Sequence, residues 1–241
     1  MTAGTTTKTA TTSAAADGKY GAAFWEQNWR VGGIAFVLFL VIAWVLYGIQ
    51  PQAGASAHAL DAFYNGHRTR ILIAAPIFGL AVLNLMWFAL AVRNVLAEEG
   101  RDGWGSAAIA SCAAAGAMLL VYGSIVAALA FSIARAGNTP LTSGLNDLAW
   151  SVFVLSSWPR AMLVMSWAFG LWRAGMISNS LFGVGVTFVV LGVLGGTTWV
   201  SGGFWAPDGA YARYIWPGIG LLWIVVVSRV VLARPTTRTG W

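Results

Sequence analysis

Few residues in this sequence have types and spacing suited to chemistry, and the first is Arg160. It closes the stretch Ser156-Ser157-Trp158-Pro159-Arg160, near the middle of the apolar run Leu148–Trp172. Charge at mid-bilayer depth is costly, and ionisable groups placed there usually mark functional sites. Pro159 has no N–H for the helix ladder and clashes one turn back, so a kink and a freed carbonyl near Leu155 are expected. Arg160 carries five donors that could turn to such a carbonyl, or to Ser156 one turn earlier on the same face. It stands about 12 residues, roughly 18 Å, from either end of its run, so snorkelling to water would be partial.

Two other polar residues share that depth. Asn84 in the second run and Tyr122 in the third complete a possible Arg160–Asn84–Tyr122 cluster. One reading is an anion or headgroup site in a crevice between spans two, three and four. The other is a structural hydrogen bond from Arg160 to helix carbonyls that fixes the kink. The lack of a second charge at that depth weighs toward the structural reading.

A second group lies in the segment 51–70, where His58, Asp61 and His67 precede Arg68 and Arg70. His58 and Asp61, three residues apart, would share a helix face and could offer two ligands to a metal. Zinc would need a further ligand in defined geometry. His67 could supply it, as could Asp147 or Asp208 from other loops. The default is a solvated interfacial segment with Asp61 paired to an arginine.

Absences narrow the chemistry further. No apolar run contains Asp, Glu, His or Lys. A retinal Schiff base needs an intramembrane lysine, and membrane b-type haem usually needs axial histidines. Proton-coupled pumps typically use intramembrane carboxylates or histidines, and an intramembrane serine protease needs a base beside its serine. Cys112 is the sole cysteine, so neither an internal disulfide nor a CxxC pair is possible. A small residue at a helix contact is its expected role. No cofactor is expected, and an enzyme is the less favoured class.

These residues need a frame, and the composition supplies it. The chain has 241 residues, 58% hydrophobic and 9% charged, where a soluble domain carries about 25% charged residues. The expected architecture is all-α: a polytopic bundle of six transmembrane helices over residues 24–233. The runs are Gly32–Ile49, Ile71–Val92, Ser106–Ile133, Leu148–Trp172, Ser180–Trp199 and Tyr214–Leu232. Each approaches the ~20 residues that cross ~30 Å of hydrocarbon. Residues 1–23, rich in Thr and Ala, read as a disordered cytoplasmic tail, and residues 234–241 as a short cytoplasmic tail. Ala55-Ser56-Ala57 resembles a cleavage site, but a retained first helix is preferred because its apolar run exceeds a signal-peptide core.

The net charge of +6 comes from scattered basic residues rather than a stripe, so no nucleic-acid partner is expected. The distribution fits positive-inside anchoring in a bacterial plasma membrane with both termini cytoplasmic. Trp25, Trp29, Trp104, Trp150, Trp172, Trp199 and Trp216 read as interfacial, while Trp44, Trp87, Trp158, Trp167 and Trp223 read as packing residues. Gly192 and Gly196 fit the small-xxx-small rule. They imply close internal packing or, alternatively, a homodimer face; the other expected partners are the lipid bilayer and a membrane protein.

The stretches RTRILIAAPIFGLAVLNLMWFALAVR from Arg68, SGLNDLAWSVFVLSSWPRAMLVMSWAFGLWRAG from Ser143 and GGFWAPDGAYARYIWPGIGLLWIVVVS near the end resemble a group of bacterial, mostly actinobacterial, integral membrane proteins of unknown function. The resemblance implies a six-helix inner-membrane protein and carries no site residues. Three function classes follow, in order: a non-catalytic membrane component or accessory subunit; a permease or channel for a small or anionic solute using Arg160; and a metal-assisted enzyme using His58, Asp61 and His67.

Overall fold

The computed structural model describes the backbone of residues 10–234 and the side chains of residues 27–234. The first nine residues of the expected N-terminal tail, and 235–241 of the C-terminal one, lie outside the described residues. Among those described there are helices and no strands. Helix α1 spans Ala10–Tyr47, α2 Ala57–Gly66, α3 Arg68–Glu98 and α4 Asp102–Ala128. Then follow α5 (Thr139–Leu155), α6 (Ser157–Arg173), α7 (Asn179–Gly195) and α8 (Trp216–Leu232). Hydrocarbon offers the backbone no hydrogen-bond partner, which is why the apolar runs become helices.

Five stretches are long and apolar enough to cross a membrane: Gln27–Tyr47, Arg68–Glu98, Asp102–Ala136, Thr139–Arg173 and Tyr211–Leu232. The sixth, α7, is apolar but has 17 residues. The chain is a multi-pass helical membrane protein. Helix α3 packs between α1 and α4, α6 between α4 and α7, and α8 closes against α1, α6 and α7. Loop 48–56, α2 and the connections after α4 and α7 gather at one end, here called the α2 end. The turns at 99–101 and 174–178 gather at the opposite end with Arg234, whose Nη1 donates to Glu99 Oε1 at 2.9 Å.

Three interruptions shape the bundle. Helix α4 passes through a π turn at Leu129–Ile133 and a 3-10 turn at Ala134–Ala136, which extends it beyond the expected third span. The fourth span is two helices, α5 and α6, that meet at Ser156. This is the expected kink, since Pro159 cannot bond the Leu155 carbonyl. The last span opens with a π turn, Tyr211–Ile215, two residues before Pro217. Pro217 cannot donate to Arg213 one turn back, and the ladder steps out to a Trp216 N–H to Tyr211 carbonyl bond.

Several sequence expectations change. Helix α1 begins at Ala10, so it overlaps the expected tail 1–23; alanine is the best helix former and makes this stretch compatible with helix. Segment 51–70 is not merely a solvated loop. Ser56 caps α2 by accepting from the Ala59 N–H at 3.3 Å, and Leu60, Phe63 and Tyr64 are buried against the bundle. Trp150 and Trp216, read as interfacial, are buried, whereas Trp44, Trp87 and Trp158, read as packing residues, are about half exposed on the bundle surface. The glycine face of α7 is filled by this chain's own tryptophans. A Cβ on Gly192 would lie 2.4 Å from Trp216, and one on Gly196 2.2 Å from Trp158.

Candidate functional site

The Arg160–Asn84–Tyr122 cluster does not assemble as one unit. Arg160 Nε donates to the Ser156 carbonyl at 3.1 Å, and Nη2 to the Phe153 carbonyl at 3.1 Å and to Ser157 Oγ at 3.0 Å. Its guanidinium also lies 4.9 Å from the Phe153 ring centroid and 5.9 Å from that of Trp216. All three hydrogen bonds therefore end on the α5–α6 span, across the break at Ser156. Asn84 donates to its own Leu80 carbonyl at 2.8 Å, beside Gly32 of α1. Tyr122 comes nearest to Arg160 through Phe153, whose ring centroid is 5.4 Å from its own.

Nor do His58, Asp61 and His67 converge. His58 and Asp61 border a shallow depression with Thr139 and Thr142. Asp61 accepts from Asn65, and His67 sits at the α2–α3 junction with its ring 5.7 Å from Phe63. Asp147 accepts from the Gly54 N–H at 2.9 Å. Among the described residues no group of three or more His, Cys, Asp or Glu side chains is placed to hold a metal.

The α2 end contains a different site. Gly48 takes a φ of +84°, which a side chain would disfavour, and turns the chain out of α1 into an extended segment. That segment is stitched to α5. Gln50 Nε2 donates to Asn146 Oδ1 at 3.2 Å, Tyr64 Oη donates to the same oxygen at 2.9 Å, and Asn146 Nδ2 donates to the Gln52 carbonyl at 3.1 Å. Trp150 Nε1 donates to the Pro51 carbonyl at 2.9 Å. Tyr122 adds α4 by donating to Gln50 Oε1 at 2.7 Å. Gln50, Tyr64 and Asn146 are all buried, so these bonds satisfy groups that water cannot reach. Burial, reinforced by the neighbouring Tyr122, pushes the Tyr64 phenol well above its usual pKa of 10.0.

Beneath this network lies a crevice of about 250 Å³. Leu40, Ala74, Phe78, Gly123 and Leu221 form its apolar walls, with Tyr47, Gln50, Tyr122 and Arg213 at its polar end. Val41 and Trp44 of α1 face Tyr214 and Gly218 across its mouth, and all four are exposed. The Trp44 and Tyr214 rings meet edge to face with centroids 5.9 Å apart.

Arg213 is the charge in this crevice. Nη2 donates to the Gln50 carbonyl at 2.9 Å, and the guanidinium lies 4.9 Å from the Trp150 ring centroid and 6.0 Å from that of Tyr214. Its Nε is buried and has no hydrogen-bond partner. The buried Tyr47 hydroxyl neighbours those of Tyr64 and Tyr122. No carboxylate lines the crevice. Sequence reasoning missed Arg213 because an arginine at a span end looks like an interfacial anchor. The available signal was Pro217 four residues later, which opens the turn that carries it inward.

No family model, curated protein or solved structure matches this chain.

Proposed function

We propose that this protein is a non-catalytic component of a bacterial plasma membrane that holds an amphipathic molecule in the crevice at the α2 end. One observation carries this reading: an apolar crevice that opens between α1 and α8 and ends on Arg213, the one charged side chain in its lining. An apolar pocket with a few convergent polar groups at one end is suited to an amphipathic ligand. The crevice mouth lies between two membrane helices, so the ligand enters from the lipid. The amides and phenols around it are largely tied to one another, an arrangement for holding rather than turning over a molecule.

The orientation belongs to the same proposal. Arg30, Arg93, Arg101, Arg173, Arg229 and Arg234 gather toward the opposite end, against Arg68, Arg70, Arg135 and Arg213 at the α2 end. The positive-inside rule then puts both termini in the cytoplasm and the crevice in the outer leaflet. Thiol labelling of Ala53→Cys, but not Glu98→Cys, from outside intact cells supports it in a Cys112→Ala background; the reverse pattern sinks it. A permease using Arg160 ranks second because the bonds of Arg160 end on its own span. A metal enzyme using His58, Asp61 and His67 ranks third because those side chains do not converge.

Lipid extraction and mass spectrometry of protein purified in mild detergent test the main reading. One amphiphile class near stoichiometric amounts is expected. It should be lost in Gly218→Leu, whose added side chain grows from a position with no atom within 4 Å of its Cβ into the crevice mouth. Retention of the same lipid by that variant would remove the crevice from the function.

A further inference from the structure

We infer that the ligand of this crevice is a single-chain amphiphile with a carboxylate head, bound head-first against Arg213. This rests on the reading that the crevice holds an amphiphile, and it names the headgroup. Three features select it. The first is charge: one guanidinium lines the cavity and no carboxylate does, so the site is complementary to one negative charge. A phosphate monoester, carrying nearly two charges at neutral pH, would leave one unmatched beside a single guanidinium.

The second feature is the donor set. Arg213 Nη2 is already engaged by the Gln50 carbonyl and Nε is buried, while Nη1 is neither buried nor bonded and offers two N–H donors. Arg213 lines the polar end of the crevice, and this nitrogen suits a carboxylate oxygen. Trp150 and Tyr214 lie against the guanidinium and hold it in place, so little side-chain freedom is lost on binding. The third is size. About 250 Å³ is at the small end of ligand sites, enough for a head and the first part of one chain. The rest of the chain leaves through the mouth between Trp44 and Tyr214.

The test uses the full chain in nanodiscs of zwitterionic lipid and a long-chain carboxylic acid carrying a photoreactive diazirine. Crosslinked peptides from α1, α4 or α8 are expected, with Gly218→Leu abolishing them. Palmitic acid should compete roughly tenfold better than hexadecanol, the charge-assisted contribution of the head. Arg213→Gln should erase that preference, and Arg213→Lys should keep part of it.

Equal competition by acid and alcohol in the unsubstituted protein would overturn the carboxylate assignment and leave the crevice reading intact. Better competition by hexadecyl phosphate than by palmitic acid would overturn it in favour of a phosphate head. Absence of any crevice crosslink from either the acid or a diazirine alcohol would end both readings. If Arg213→Gln does not stay monodisperse, the headgroup series on the unsubstituted protein and on Arg213→Lys decides the matter.

Discussion

Arg160 and Arg213 both sit at places where a proline interrupts a membrane helix, and they end in opposite situations. Pro159 precedes Arg160, and the guanidinium folds back over the break it helps to create, bonding Phe153, Ser156 and Ser157. Pro217 follows Arg213, and the widened turn carries that guanidinium to the crevice, where one bond ties it to the Gln50 carbonyl and Nη1 stays free. One arginine completes its own span; the other waits on something outside the chain. Depth in the membrane drew attention to Arg160, yet the disposition of donors, not depth, separates a brace from a binding group. Phe153 touches both regions, since its ring borders the crevice and its carbonyl accepts from Arg160.

The contrast breaks most severely at Asn146. Asn146→Leu strands the buried Gln50 and Tyr64 donors and frees the carbonyl of the exposed Gln52, and a cost of about 4 kcal/mol is expected, mostly from the two buried donors. Thermal unfolding in detergent should fall sharply, and crevice labelling with it. Arg160→Leu should cost about 2–3 kcal/mol through the lost bonds across the break, while labelling by the amphiphile stays. If labelling vanished in a folded Arg160→Leu protein, the division between brace and binding group would fail.

Gly218→Leu should reverse that pattern. It replaces a helical glycine at an open position, so stability rises by roughly 0.5–1 kcal/mol, while ligand occupancy is lost. Alkaline pH offers a gentler probe. The folded-state pKa of Tyr64 is raised, so its contribution is present below pH 10.0 and declines as pH rises past that value. Unfolding at pH 9 and pH 11 should show the loss, and Tyr64→Phe should reduce the difference. Arg234→Gln, which removes a half-exposed pair with Glu99, should change stability by under about 1 kcal/mol and labelling not at all.

Much of this architecture was legible in the sequence because hydrocarbon leaves a long apolar run little choice but helix. The break before Pro159 was legible for the same reason: a missing N–H has a local consequence. The crevice was not. Its polar wall joins Gln50 to Asn146 across 96 positions and Tyr64 to Asn146 across 82, and no local pattern encodes such a meeting. Helix α2 was hidden by its length, although Leu60, Phe63 and Tyr64 do recur at helical spacing. Trp216 was misread because a span-end tryptophan looks alike whether it faces lipid or fills the hollow over Gly192 and Gly195.

The short helix α7 has a consequence for the surrounding membrane. Its 17 residues rise about 26 Å, below the ~30 Å of an average hydrocarbon core. The α4 segment Asp102–Ala136, on the other side of α6, is twice as long. The perimeter that this protein offers to lipid is therefore uneven in height. A bilayer that seals against it must pinch along the α7 flank, which gives the molecule a thin side and a thick side. Lipids with shorter chains should collect on the thin one, so the protein sorts its own boundary before any ligand arrives.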